Sequence, residues 1–548
     1  MKIVIPMSGS GQRFADAGYK LVKPLIVADG KPIIEHVVNL FPGEKDILFI
    51  CNREHLKETN MRAVINSIAP HSQIIEISPH KMGPVYAVSQ AFDMLNDEEE
   101  VIVNYCDFSK YWDYHDFLRH TRGRDADGAI PSYKGFHPHM LGSTNYAFIR
   151  DDKQWMLEIR EKQPFTDNRM QEYASDGTYY FKKGSYVKKY FKQLMEEDIN
   201  VKGEYYVSMV FNLMRQDNLR VSIYEIQYML QWGTPRDLEE YQRWSDYFRR
   251  IIEPQQNIDI KKNSINLIPL AGKGKRFTDA GYVDPKPLVG VSGKPMIVQA
   301  TNYLPWAEKN IFVCLGDHLD SYPLEVEIKK VYGEAKIVRL DEVTEGQAIT
   351  CELGLGGENP ESSLLIAACD NGMLWDKNKY QQLIDDQDVD VVVWSFRRYP
   401  TGERNPQMYG WISVNDNDDV QSVSVKKPIS DDPYNDHAIV GTFYFRKIRF
   451  FIESVKRLVE KNMRVNNEFY VDSCINELVD MGLKVKVFEA DHYICWGTPD
   501  DLKIYEYWQG FFHKCNWHPY YLEKDITIDS NKIVTLETKY RDSRQEYL

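Results

Sequence analysis

Pro6 to Ile33 reads PMSGSGQRFADAGYKLVKPLIVADGKPI, and Pro269 to Met296 reads PLAGKGKRFTDAGYVDPKPLVGVSGKPM. Gly9 stands opposite Gly272, Gly11 opposite Gly274, Arg13 opposite Arg276, Lys23 opposite Lys286 and Gly30 opposite Gly293. Each pair is offset by 263 positions (272 less 9, and likewise for the rest). The register runs on through Gly83 and Gly346, Asp107 and Asp370, and Tyr146 and Tyr409. After one inserted residue, Gly177-Thr178 matches Gly441-Thr442, Glu204 matches Glu468, and Trp232-Gly233-Thr234-Pro235 matches Trp496-Gly497-Thr498-Pro499. Self-similarity at one fixed period is the mark of a repeated structural unit, here a tandem duplication.

Within each copy, apolar runs alternate with helical stretches. Ile3–Pro6, Ile47–Cys51, Ile74–Ile77 and Val101–Cys106 are separated by segments such as Pro32–Leu40 and Val85–Leu95. The second copy offers Ile265–Leu270, Asn310–Leu315, Lys336–Leu340 and Leu364–Cys369. Continuous apolar runs suit strands buried on both faces, and strand–helix alternation predicts a mainly parallel sheet. The later part of each copy is irregular and Tyr-rich, which predicts further strands and loops on a substrate-binding side. The chain's 548 residues exceed one ordinary core. The expected division is 1–250, a polar linker at 251–263, 264–510, and a C-terminal extension at 511–548.

Composition narrows the function. A net charge of −14 disfavours a broad nucleic-acid surface, which needs a basic footprint. No apolar run is long enough to span a bilayer, and the N-terminus turns polar too soon for a signal peptide. Eight scattered cysteines without a C-x-x-C pair argue against a disulfide framework or structural zinc, and predict a reducing cytoplasm.

Three motifs carry chemistry. G-x-G-x-R-F follows the first strand of each copy, with Gly9, Gly11, Arg13 and Gly272, Gly274, Arg276. Paired glycines let backbone N–H groups approach a phosphate, and the guanidinium adds fixed positive charge. Phe14 and Phe277 occupy the place of the third glycine of a dinucleotide fingerprint, and no G-x-x-x-x-G-K-[ST] is present. Second, Lys23 and Lys286 open a Lys-Pro-Leu at fixed spacing from that loop. Third, Asp107 and Asp370 stand just past the fourth apolar run. An aspartate there is ordinarily a turn or cap residue, but beyond the carboxyl end of a buried strand it can also hold Mg²⁺ against phosphate oxygens.

G-x-G-x-R-F followed by K-P-L resembles the signature of the sugar-phosphate nucleotidyltransferases, the nucleotide-sugar pyrophosphorylases. The resemblance extends over residues 1–245 and 264–508. It implies an α/β fold of two tandem Rossmann-like (GT-A-like) domains, each a mixed, mainly parallel sheet flanked by helices. It further implies that the glycine loop wraps the nucleotide, that Arg13, Lys23, Arg276 and Lys286 neutralise the triphosphate, and that Asp107 and Asp370 hold Mg²⁺. Gly83 and Gly346 fall where the family has a glycine against the base. Glu161-Lys162 with Pro164 resembles its Glu-Lys-Pro element, whose lysine meets the substrate phosphate. In the second copy Lys426 aligns with Lys162 and the acid is lost. Where many members carry a second metal-binding aspartate, this chain has Gln231 and Cys495, leaving Glu204, Glu468 and Asp472 as carboxylates that could substitute.

The expected activity is nucleotidyl transfer from an NTP to a sugar-1-phosphate or similar small phosphomonoester, releasing pyrophosphate. The wording of the first copy (HKMGPVYAV, VNYCDF, GTYYF, QWGTP) resembles members associated with capsule or surface-polysaccharide synthesis. Two alternatives stand beside this reading. One copy could be active and the other a nucleotide-binding regulatory or structural domain. A glycosyltransferase of related fold is the other, and the absence of an Asp-x-Asp pair counts against it.

Overall fold

The computed structural model describes residues 1–253 and 264–541. Most of the expected 251–263 linker and the last residues of the chain lie outside that range. The chain divides into two compact units: Met1–Ser245 with Lys514–His518, and Asp246–His513 with Pro519–Leu548.

In the first unit, apolar runs form the centre of a ten-stranded sheet. Gln73–Ile77, Ile47–Asn52, Lys2–Met7 and Val101–Asn104 lie side by side in that order, all parallel. Ile3, Val4, Ile5, Leu48, Phe49 and Ile50 are wholly buried, as strands covered on both faces require. Beyond Val101–Asn104 come Thr178–Phe181, Gly128–Tyr133, Val221–Glu225, Trp155–Glu161, Ala147–Asp152 and Tyr173–Ser175. Here the expectation of a mainly parallel sheet is corrected. Among the strands beyond Val101–Asn104, only Gly128–Tyr133 with Val221–Glu225 is a parallel pair. The rest are antiparallel. Ala147–Asp152 and Trp155–Glu161 are joined by a two-residue turn, and a connection that short can only return the chain antiparallel.

Outside the sheet, Phe108–Tyr111 pairs antiparallel with Tyr228–Gln231. This ribbon sets Asp107 beside Trp232, whose N–H donates to the Asp107 carbonyl at 3.0 Å. The division between units falls inside helix Pro235–Arg250. Lys514–His518 is packed into the first unit. Trp517 Nε1 donates to Tyr241 Oη at 3.2 Å, His518 Nε2 to the Ser245 carbonyl at 3.1 Å, and the Trp517 ring meets His36 edge-on at 5.4 Å.

The second unit has the order Lys336–Leu340, Lys309–Leu315, Ser264–Leu270, Ser363–Ala367, His437–Phe445, Val391–Phe396, Val485–Glu489. Its first four strands are parallel, and His437–Phe445 runs antiparallel to both neighbours. Gly410–Val414 and Val420–Val425 form a hairpin against it. The border expected at 510 lies within helix Pro499–Lys514. No helix among the described residues is long and apolar enough to cross a membrane.

Candidate active site

The loop after strand Lys2–Met7 turns at Gly11, which takes a left-handed φ of 65° at the start of helix Gln12–Asp16. Gly274 does the same at 61° before Lys275–Asp279. A Cβ at Gly11 would sit 3.7 Å from that of Lys23, and one at Gly274 only 2.9 Å from that of Lys286. Glycine is therefore what lets the lysine stem lie against the loop. Lys23 Nζ reaches Asp107 Oδ2 at 2.6 Å and the Gly233 carbonyl at 3.3 Å. Lys286 pairs with Asp370 in the same way. Both acids follow the last parallel strand, Val101–Asn104 or Ser363–Ala367.

In the first unit a cavity of about 550 Å³ opens at the carboxyl ends of the parallel strands. Gly9, Gly11, Arg13, Lys23, Gly83, Asp107 and Lys162 all line it, so every site residue expected of the first copy is brought to one place. Gly83 is required there by packing. At φ 83°, a Cβ would lie 2.7 Å from the backbone N and O of Tyr205, whose N–H and C=O bond Met82 and Val85. Beside it, Ser8 Oγ lies 2.8 Å from His80 Nε2, while His80 Nδ1 accepts from Met82 N–H. Burial holds His80 below its ordinary pKa.

The other wall is built on strand Trp155–Glu161 and helix Val207–Gln216. Asn212 clamps the two together, its amide giving to and taking from the Ile159 backbone at 2.8 and 3.0 Å. Two residues beyond that clamp on the strand, and one helical turn before it, Glu161 accepts from Ser208 Oγ at 2.6 Å. Burial is the main reason Glu161 is pushed up to about 6, with Ser208 and Lys162 opposing. Lys162 takes a left-handed φ of 59°, uncommon for a side-chain-bearing residue, and donates to Tyr206 Oη at 2.6 Å.

A buried ion pair lies under the same wall. Lys110 Nζ meets Asp176 Oδ2 at 2.6 Å and Thr178 Oγ1 at 2.7 Å, with both charged side chains fully enclosed. Lys110 also sits over the Trp112 ring, 3.6 Å from its centre. Burial draws Lys110 down and Asp176 up, each opposed by the other's charge. Sequence reading missed this pair and the Asn212 clamp. Neither residue set forms a motif, because the partners come from separate strands and helices.

The second unit places Gly272 and Gly274 after Ser264–Leu270, and Gly346 (φ 138°) where a Cβ would be 2.4 Å from the Phe469 backbone. Lys426 has φ 61° and donates to the Met408 carbonyl at 2.6 Å. Burial lowers its pKa, and the charges of Asp472, Arg276, Glu468 and Asp370 act on it next.

A hard divalent cation takes oxygen ligands, and Mg²⁺ commonly uses one or two from protein while phosphates and water supply the rest. The first site meets that requirement. The Asp107 side chain lines the cavity with about a third of its surface exposed. Gln231 donates through Nε2 to Asp237, while its buried Oε1, also in the lining, has no hydrogen-bond partner. Among the described residues no cluster of three or more His, Cys, Asp or Glu forms a metal site, so substrate oxygens would have to complete it. In the second unit Cys495 stands at the corresponding place, and its thiol donates to Asp501 at 3.4 Å.

Residues 2–246 match the family model described as nucleotidyl transferase. That match takes in the first unit, 245 of the 548 residues, and supports a nucleotidyltransferase enzyme. Among solved structures, a nucleoside-diphosphate-sugar pyrophosphorylase from Vibrio cholerae RC9 is 20% identical, covering 44% of this chain and 98% of that one, with a TM-score of 0.36. The inositol-1-phosphate CTP transferase from T. maritima is 18% identical over 44% of this chain and 94% of its own, at 0.36. A UDP-glucose pyrophosphorylase complexed with UDP-glucose is 16% identical over 45% and 98%, at 0.37. No curated protein sequence matches the chain.

Proposed function

We propose that the first unit transfers a nucleotidyl group from an NTP to a sugar-1-phosphate or similar phosphomonoester, releasing pyrophosphate. We take the second unit to be a duplicate that keeps the same machinery. The observation that carries this reading is the convergence of seven residues, chosen from sequence, on one cavity beyond the parallel strand ends. Strand registers support the duplication: Thr178 pairs with Asn104 and Gln231 with Phe108, as Thr442 pairs with Ala367 and Cys495 with Asn371.

The chemistry joins two polyanions. The acceptor's phosphate oxygen attacks the α-phosphorus, the bond from that phosphorus to the bridging oxygen breaks, and pyrophosphate leaves. A phosphate oxygen is already anionic at neutral pH, so the protein supplies position and positive charge rather than a general base. Arg13 and Lys23 hold the triphosphate, the Gly9–Gly11 loop admits it, and Gly83 borders the base. Lys162 draws in the acceptor phosphate. Asp107, with Gln231 Oε1, would hold Mg²⁺, which supplies charge neutralisation between the two phosphates. Arg276, Lys286, Gly272, Gly274, Gly346, Asp370 and Lys426 have the same roles in the second unit.

The Lys23–Asp107 ion pair fits this scheme. It sets the cation that would meet phosphate beside the anion that would hold the metal. We assign the product to a cytoplasmic supply of activated precursors, with surface polysaccharide as its use. The test is a matrix of nucleoside triphosphates against sugar-1-phosphates, read by pyrophosphate release. No release with any pair would overturn the reading.

A further inference from the structure

The second unit's loss of the acid before its lysine is, in the structure, a relocation. Asn476 clamps helix Val471–Asp480 to strand Val420–Val425 through both backbone groups of Val423, at 2.8 and 2.9 Å. This is the bond pattern that Asn212 makes with Ile159 in the first unit. The clamp fixes helix against strand, so the residue four before the asparagine faces the residue two past the clamped strand position. In the first unit those two are Ser208 and Glu161, and they are hydrogen-bonded. In the second they are Asp472 and Val425. The carboxylate has changed sides, from strand to helix.

The space around it has changed to match. A Cβ built on Gly410 would fall 2.4 Å from Asp472 Oδ2 and 2.9 Å from Ile439 Cδ1, so a larger residue there would force that carboxylate to move. The first unit has Ala147 at this place, where the helix contributes only the smaller Ser208. Three positions have therefore moved together: Ala147, Glu161 and Ser208 on one side; Gly410, Val425 and Asp472 on the other. In both arrangements the acid is half-buried and feels the charge of the left-handed lysine, Lys162 or Lys426. Burial raises both acids to about 6 against the pull of that lysine.

A structural carboxylate would be the first thing to disappear when its anchor became valine, since burying an acid without need is costly. Instead it is supplied from a different backbone, at the expense of a methyl group at position 410. We propose that Asp472 is an acceptor-binding residue of the second unit. It takes hydrogen bonds from hydroxyls of a phosphorylated polyol or sugar whose phosphate Lys426 receives. The second unit is then a working acceptor site of altered shape, not a relic. Because a short aspartate on a helix replaces a long glutamate on a strand, the hydroxyl it reads has a different direction from the phosphate. The two units should accept different isomers or different sugars. This inference rests on the nucleotidyl-transfer reading of the second unit.

The experiment uses the full chain with the first unit silenced by Lys23→Ala and Asp107→Asn, and reads pyrophosphate release over a panel of sugar-1-phosphates and polyol phosphates. Asp472→Asn should lower kcat/KM for the acceptor about 10- to 100-fold, the scale of a lost hydrogen bond to a charged group, while the KM for NTP moves less than about twofold. Moving the acid back to the strand (Val425→Glu with Asp472→Ser and Gly410→Ala) should restore turnover and shift the preferred acceptor towards that of the first unit. Unchanged acceptor kinetics in Asp472→Asn would overturn the proposal, as would a second unit that turns over no acceptor at all. The reciprocal chain, with Lys286→Ala and Asp370→Asn, keeps the two failures apart. If it too is inactive, the nucleotidyl-transfer reading has failed. If it alone is active, only the inference about Asp472 has.

Discussion

At the scale of single residues, three side chains give sharp expectations. Asp107 touches Lys23 now and would touch the metal during reaction, so its charge matters more than its shape. Asp107→Asn should reduce first-unit turnover by about 100-fold or more and change nucleotide affinity by under about threefold. Steady-state pyrophosphate release and nucleotide titration, both in the Lys286→Ala and Asp370→Asn background, separate the two quantities. Lys110 and Asp176 carry a different lesson, because the second unit has Met373 and Val440 at the corresponding places. The molecule has thus made the apolar replacement itself. Lys110→Met alone strands a buried carboxylate and should cost about 3–5 kcal/mol in urea unfolding. Lys110→Met with Asp176→Val should return to within about 1 kcal/mol of the parent, since well-packed apolar groups commonly replace a buried pair at little cost. A double variant as unstable as the single one would show the pair to be indispensable to the fold. For Glu161 the sign follows from burial. Its folded pKa, about 6, lies above the ordinary 4.5, so the neutral form is favoured in the folded state and folding stability declines as pH rises through that interval. The proposal for Asp472 makes Glu161 its counterpart in the first unit, and acceptor binding there runs the other way, because the ionised form is the hydrogen-bond acceptor. In the first unit kcat/KM for the acceptor should fall as pH drops below about 6 more steeply than protonation of the acceptor phosphate alone produces, and Glu161→Gln should be low and retain only the acceptor's share of that limb. A parent profile level down to pH 5 would contradict the assignment.

At the scale of elements, the asparagine clamps hold the acceptor wall. Asn212→Ala leaves the Ile159 N–H and C=O unpaired and should cost roughly 2–4 kcal/mol. It should also raise KM for the acceptor more than KM for NTP, because Glu161 and Lys162 hang from that strand while Lys23 and Asp107 do not. Equal effects on both substrates would place the clamp's role elsewhere. The same contrast explains what was legible in the sequence. The parallel strands were readable as unbroken apolar runs, and the glycine loop, lysine and aspartate followed them at fixed spacing. Local chemistry at a strand end is written in consecutive residues. The acceptor wall was not readable in this way. Its strands Ala147–Asp152 and Trp155–Glu161 mix short apolar stretches with charged ends, its hairpins reverse direction, and Asn212, Lys110 and Asp176 acquire partners only when distant elements meet. The expectation of a mainly parallel sheet failed for that reason: a two-residue turn between Asp152 and Trp155 dictates antiparallel pairing, and the apolar pattern alone does not register it.

At the scale of the whole molecule, Lys23→Ala with Asp107→Asn and Lys286→Ala with Asp370→Asn should each remove one of two distinguishable activities. One activity abolished by only one of the pairs would leave the other unit without turnover. A further consequence follows from Lys514–His518, the segment that lies in the first unit although nearly the whole second unit precedes it in sequence. During synthesis the ribosome makes the first unit's sheet early, yet the piece that donates Trp517 to Tyr241 and His518 to Ser245 emerges only after 268 further residues (246 to 513). The first unit must wait, nearly complete, for its last part. A nascent chain stalled before residue 514 should therefore be more readily cleaved by protease within residues 1–245 than one stalled far enough beyond 518 for that segment to clear the exit tunnel.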